Sequence, residues 1–179
     1  MMLSGLTIEN LLGTDIDIIP FNRDQLNPNS YNVRLHNKLV VYDDLILDMK
    51  KNNPAHVIEI PEDGYILQPN KLYLGRTVEL IATSTDENSE KIYMPMISGR
   101  SSIGRLGINI HATAGFGDVG FNGFFTLEIS VIQPIRIYPN CEIAQVYFEE
   151  VTTPCERYAG KYQNNTGIQT SQLFKDFVK

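Results

Sequence analysis

The run Ser98-Gly-Arg-Ser-Ser-Ile-Gly-Arg-Leu-Gly107 packs two arginines, three serines and three glycines into ten residues. Glycines let backbone N–H groups come close to a ligand, hydroxyls add donors, and the start of a helix attracts anions. A helical turn over Ser101–Leu106 would put Ser101 and Arg105 on one face, and the segment could then cradle a phosphate. The same composition suits a capped surface helix with solvated arginines. A second run, Thr113-Ala-Gly-Phe-Gly-Asp-Val-Gly-Phe-Asn-Gly123, sets four glycines around one acid, Asp118, and two aromatics, Phe116 and Phe121. Here a carboxylate can accept a hydrogen bond from a sugar hydroxyl while a ring packs on the sugar. The plainer reading is a β-hairpin turn with Asp118 as a turn residue. The third run, Phe124-Phe-Thr-Leu-Glu-Ile-Ser-Val131, reads as a strand. Alternation puts Thr126, Glu128 and Ser130 on one face, and Phe125, Leu127, Ile129 and Val131 on the other. A glutamate on a strand is usually solvated. Glu is nevertheless depleted in strands, and this one follows a glycine-rich turn, so a working carboxylate and a solvated surface residue both stay open.

The elements that must position these runs are mostly short and β-like. Helical signal is confined to Ser4–Leu12, with Ser4 as cap and Gly13 as stop, and to the turn after Gly99. Strand-like runs fall at 31–35, 39–42, 56–60, 65–67, 72–78, 91–96, 107–111, 124–131, 135–138 and 143–148, separated by Pro-, Gly- and Asn-rich turns. Many short strands with frequent turns predict a mainly β sandwich, jelly roll or barrel. No repeat or linker divides the 179 residues, which suits a single domain. The tail from Tyr158 to Lys179 is polar, with an apolar patch at Leu173, Phe174, Phe177 and Val178, and either stays disordered or docks.

Several function classes are disfavoured. A formal net charge of −6 argues against a nucleic-acid polymer as partner, though local arginines and lysines can still hold a small polyanion. No apolar run has transmembrane length and the N-terminus has no secretory pattern, so a cytoplasmic location is expected, with no membrane partner. Cys141 and Cys155 form no disulfide framework. Zinc-dependent nucleobase deaminases carry H-x-E and then P-C-x-x-C. Here the residues two after His36, His56 and His111 are Lys38, Ile58 and Thr113, and Tyr158 stands where the second cysteine should be. No zinc is expected.

Taken in order, GRSSIGRLGINIHATAGFGDVGFNGFFTLEI resembles the core of the dCTP deaminase family, whose pattern runs G-R-S-S-x-x-R-x-G, then T-A, a D-x-G-[FW]-x-G turn and L-E. Ser30-Tyr-Asn-Val-Arg-Leu35 resembles the early S-x-D-x-R-L segment. Tyr138–Val146 resembles Y-P-G-x-x-I-G-Q-L, and 160–167 resembles a K-Y-x-x-Q-x-G tail. The resemblance implies a dUTPase-like distorted jelly roll or β-barrel, with a short N-terminal helix, one short helix after Gly99, and a tail over 158–179 that closes on the nucleotide. It implies a homotrimer with sites between subunits, and a magnesium ion carried on the substrate triphosphate.

By position, Glu128 would be the general base and acid that activates water for attack on C4 of cytosine. Ser101 and Arg105 would orient the water and the intermediate. Arg100, Ser101 and Ser102 would contact phosphates, and Ile103, Gly104, Thr126 and Leu127 fall within the same substrate-binding stretches. Asp118 would hold the 3′-hydroxyl, and Phe121 would pack near the sugar. Gln145, Tyr158, Lys161 and Asn165 would complete the site. Three departures stand out: Asn32 for the early Asp, Asn165 for the tail Gln, and Gly117 for the usual Ile or Val, which is expected to loosen the turn before Asp118.

The activity implied is zinc-independent hydrolysis of dCTP to dUTP and ammonia, in supply of dUMP for dTTP synthesis. Gly115-Phe116 resembles the members that continue to dUMP and pyrophosphate rather than the deaminase-only members, which carry His-Arg there. A plain dUTPase and a non-enzymatic nucleotide-binding trimer are the alternatives, with dUTP or dTTP as conceivable regulators.

Overall fold

The computed structural model describes every residue except 87, 88, 90, 112, 113 and 179. The chain opens on helix α1 (Gly5–Asn10), capped by Ser4, whose Oγ accepts from the Thr7 N–H at 3.2 Å. The strands follow in order: β1 (Ile16–Ile19), β2 (Tyr31–Arg34), β3 (Lys38–Tyr42), β4 (Ala55–Glu59), β5 (Tyr65–Leu67), β6 (Tyr73–Thr83) and β7 (Ile92–Gly99). A single turn of helix, α2 (Ser101–Gly104), leads to β8 (Ile108–Ile110), β9 (Asn122–Val131), β10 (Ile135–Ile137) and β11 (Glu142–Val151). The protein is mainly β, as its turn-rich sequence predicts. No described helix is long and apolar enough to cross a membrane.

The largest sheet runs β4-β3-β6-β9-β8, with β1 pairing the far part of β6 (Ile16 opposite Thr83, Ile19 opposite Leu80). A three-stranded sheet, β2-β11-β7, lies against it, and β5 pairs with β10. The core fills the space between the sheets with Tyr31, Val33 and Leu35 from the β2 side, Val146 and Phe148 from β11, and Leu127 and Ile129 from β9, all without exposed surface. Along β9 burial alternates strictly, so Phe125, Leu127, Ile129 and Val131 are inside, while Phe124, Thr126, Glu128 and Ser130 form the outer face.

β6 is longer than the run 72–78 that sequence suggests, because a bulge breaks its period. Arg76 opposes Thr126, yet Leu80 opposes Phe124, so β6 carries two extra residues at this point. The Thr77 hydroxyl repairs the ladder, accepting from the Phe125 N–H at 3.2 Å and donating to the Glu79 carbonyl at 2.7 Å. The bulge also turns Glu79 inward, where it has no exposed surface. Its carboxylate accepts from the Arg34 Nε at 2.7 Å, the Arg34 backbone N–H at 2.8 Å and the Gln25 Nε2 at 3.1 Å. This ion pair ties β2 of one sheet to β6 of the other.

Glu79→Ala should therefore strand the Arg34 side chain and two further donors, at a cost of about 3–5 kcal/mol. Denaturant unfolding would read this as a lower midpoint at unchanged slope. A shift under about 0.5 kcal/mol would show that the sheets are held by apolar packing alone.

Candidate functional site

A cleft of about 530 Å³ opens on the outer face of the large sheet. Its floor is Leu74 of β6 with Phe124, Thr126 and Glu128 of β9. The glycine-rich loop supplies one wall, through Phe116, Asp118 and Phe121, and the C-terminal tail supplies the other, through Tyr158, Tyr162, Asn165 and Gln169–Ser171. Glu128 is half-buried, directly opposite Leu74 in the ladder. Leu74 flanks it in the ladder, and Glu128 lines the cleft. Beneath Phe124 lies Arg76, whose guanidinium stacks 4.1 Å from the ring centroid and donates to the Thr77 carbonyl at 2.8 Å. Burial holds the Arg76 pKa below its ordinary value.

The glycine-rich loop can pass this close only because it lacks side chains. A Cβ on Gly115 would lie 2.7 Å from the Ile97 carbonyl oxygen. One on Gly117 would meet the Pro95 Cγ at 2.7 Å and the Phe125 Cζ at 2.9 Å. Gly117 is buried and donates to the Pro95 carbonyl at 2.9 Å. The expectation that Gly117 loosens the turn is thus reversed, since this glycine lets the loop lie flat along β7. Asp118 then takes a left-handed conformation, φ 57°, which points its exposed carboxylate to the cleft mouth. Phe121 is buried, its ring 4.9 Å from Phe125 and 6.4 Å from Tyr158. Thr113, the first residue of this run, lies outside the described residues.

The tail docks as a strap. The Asn165 Oδ1 accepts from the Phe124 N–H at 3.2 Å, and its Nδ2 donates to the Tyr162 carbonyl at 3.1 Å. The short amide is thereby used in holding the strap to β9. Further on, the Gln169 N–H donates to Thr126 Oγ1 at 3.0 Å, the Ser171 N–H to Tyr42 Oη at 2.8 Å, and the Gln172 N–H to Tyr162 Oη at 3.0 Å. Lys161 lies outside the cleft lining and pairs with Asp176 at 2.7 Å. In the apolar patch near the end of the tail, Leu173 and Phe174 are half-buried, while Phe177 and Val178 stay exposed.

One chain thus gathers Thr126, Glu128, Asp118, Phe121, Tyr158 and Asn165 around a single cleft. The serine-arginine segment does not join them. α2 is four residues long rather than the six expected, and Ser101, Ser102, Gly104 and Arg105 are exposed outside the cleft lining, while Ile103 packs against the core. Arg100 donates from Nη1 to the Glu142 carbonyl at 2.8 Å and pairs through Nη2 with Glu142 Oε2 at 3.0 Å. Gln145 sits behind it, donating to the Gly99 carbonyl at 3.3 Å and accepting from Ser30 Oγ at 3.1 Å. Between Thr126 and Glu128, the Leu127 side chain is fully buried in the core, because the pleat turns it away from Glu128.

Sequence reasoning misses His111, Tyr42 and Tyr162, all of which line the cleft. His111 takes φ 52°, donates its N–H to the Glu128 carbonyl at 3.2 Å and bonds the Ala114 carbonyl through Nε2. In the sequence His111 falls in Gly107–His111, the run read as a strand, and is weighed only as a zinc ligand; Tyr162 is the tyrosine of the K-Y-x-x-Q-x-G resemblance but is given no role there, and Tyr42 carries no motif.

The fold is that of a solved protein. It superposes on the crystal structure of 2′-deoxycytidine 5′-triphosphate deaminase from Agrobacterium tumefaciens with a TM-score of 0.62 at 21% identity, over 84% of this chain and 48% of that longer one. The dCTP deaminase-like family profile matches residues 2–151. Relatives named "dCTP deaminase, dUMP-forming" include one from Hathewaya histolytica, 60% identical over 178 residues and 99% of both chains. Another, from Cytophaga hutchinsonii, is 56% identical over 180 residues and the full length of both. The chain belongs to the dCTP deaminase-like family.

Gly117→Val should destabilise this chain by about 1–3 kcal/mol through the collision with Pro95 and Phe125. An unchanged denaturation midpoint would show that the loop has room to move.

Proposed function

We propose that the chain deaminates dCTP without zinc and carries the bound nucleotide on to dUMP and pyrophosphate. The observation that carries this reading is the full-length identity to relatives named dUMP-forming, together with a half-buried Glu128 on the floor of a nucleotide-sized cleft. In the first step Glu128 takes a proton from a water as its oxygen attacks C4 of cytosine. The C4–N bond then breaks, Glu128 returns the proton to the departing ammonia, and the proton left on the C4 oxygen ends on N3, giving the uracil base. Asp118 at the cleft mouth accepts the 3′-hydroxyl of the sugar. Phe121, backed by Phe125 and Tyr158, packs where a 2′-hydroxyl would have to fit. In the second step a water attacks the α-phosphorus, and the bond to the bridging oxygen breaks to release pyrophosphate. Gly115-Phe116 leaves space for that water beside Asp118.

Ser101, Ser102 and Arg105 lie outside the Glu128 cleft of their own chain, so on this reading a neighbouring copy brings them to it. That favours a homotrimer with shared sites, located in the cytoplasm. The substrate is the magnesium complex of dCTP. Arg100 and the α2 serines would contact its phosphates, and the strap over 158–179 would close on it, with Lys161 exchanging Asp176 for the nucleotide.

Glu128→Gln should lower deamination about 10²- to 10⁴-fold while dCTP still binds, because the amide cannot cycle a proton. Near-native turnover would return Glu128 to a solvated surface role. Separating the products of dCTP with magnesium should give dUMP, pyrophosphate and ammonia, and stoichiometric dUTP at the end of the reaction would leave only the deaminase. Light scattering should report a trimer, and a fully active monomer would remove the shared site.

A further inference from the structure

The early segment of the chain carries Asn32 where the family usually has Asp, and the structure gives this amide two opposed tasks. Asn32 is buried on β2, with 7% of its surface exposed. Its Nδ2 donates to Glu142 Oε2 at 2.9 Å, while its Oδ1 accepts from Asn27 Nδ2 at 2.8 Å. Only a group with one donor end and one acceptor end satisfies both. The same Glu142 oxygen receives Arg100 Nη2 at 3.0 Å, and the Glu142 carbonyl receives Arg100 Nη1 at 2.8 Å. Asn32 and Arg100 thus converge on one carboxylate oxygen, held at the point where β11 shifts register against β2. The Arg34 guanidinium, opposite Glu142 in that ladder, is turned inward to Glu79 and does not compete.

We infer that Asn32 is a positioning residue for Arg100, acting through Glu142, and that the amide at 32 is required by the acid at 142. The inference rests on the reading of Arg100 as a phosphate contact. An aspartate at 32 would set two carboxylates about a hydrogen-bond length apart, one of them buried, with no donor between them. Glu142, a third exposed along its side chain, would swing to solvent and leave Arg100 without its anchor. A glutamine at 142 would relieve this once its amide turns so that Nε2 donates to a carboxylate at position 32 and Oε1 accepts from Arg100, the two partners no longer sharing one atom.

The test compares the native chain with Asn32→Asp, Glu142→Gln and the double variant, reading KM and kcat for dCTP beside thermal melting. Asn32→Asp, although it restores the usual family residue, should raise KM about tenfold with kcat within about twofold, and lower the melting midpoint by about 5 °C. The double variant should recover most of both losses, and Glu142→Gln alone, which keeps an acceptor for Asn32 and Arg100 but removes the charge, should raise KM by less than Asn32→Asp. Failure of the double variant to recover, or an Asn32→Asp protein with native KM, would overturn the proposal. A fall in melting midpoint with KM unmoved would reduce Asn32 to a purely structural role, and so would also overturn it. If the native chain does not turn over dCTP, the reading of Arg100 falls with the proposed function. The pattern of melting midpoints then still decides whether the Asn32–Glu142 link exists.

Discussion

Glu79 is an acid without exposed surface in the space between two sheets, and its burial is tolerable only because Arg34 and Gln25 meet it there. An unpaired carboxylate in that place would be far too costly, so the pair sets where β2 can lie relative to β6. The β6 bulge that turns Glu79 inward also resets the register of β9, and hence where the outer face of β9 begins. Thr77 closes the gap that the bulge leaves, donating and accepting within the same two strands. The position of Glu128 above Leu74 therefore follows from a polar contact on the opposite side of the sheet.

The cleft itself depends on close approach. Two glycines bring a loop against β7 with no side chain between, and the loop delivers Asp118 and Phe121 to the mouth of the cleft. A flexible loop could present the same residues, but it would have to order itself on every encounter with a ligand, and that entropy would be taken from affinity. The polar cluster around Arg100 works in the same way at a distance from the cleft, since Gln145 and Glu142 fix Gly99 and Arg100, immediately before the α2 serines, before any ligand arrives.

Much of this is legible in the sequence where period and spacing speak for themselves. The alternation along β9 separates Thr126 and Glu128 from Leu127 and Ile129, as the structure does. The pleat turns the Leu127 side chain into the core, which leaves only its backbone to meet a ligand beside Thr126 and Glu128. β1 escapes a reading of the sequence because Ile16–Ile19 is four residues long and has no neighbour in sequence to pair with; its partner is the far half of β6. β6 reads short because its bulge interrupts the apolar alternation at Glu79. Lys161 is placed by a motif, whereas its partner Asp176 lies fifteen residues away in a short turn of helix that no local pattern announces. Tyr42 reaches the cleft only through tertiary contact.

The strap over the cleft is moored in a way that separates attachment from identity. At residues 169, 171 and 172 it is the backbone N–H that donates, to hydroxyl oxygens on Thr126, Tyr42 and Tyr162. Every amino acid except proline supplies that donor. The side chains at 169, 171 and 172 are thus free to be rewritten, by drift or by an engineer, without loosening that stretch from the sheet, whereas the mooring nearer Tyr158 depends on the side chains of Gln163 and Asn165. The burden of invariance falls instead on the three hydroxyl-bearing residues that receive it, one of them within the strap itself. A lineage could change what the strap offers to a ligand one residue at a time and keep, at each step, a strap that still reaches its place.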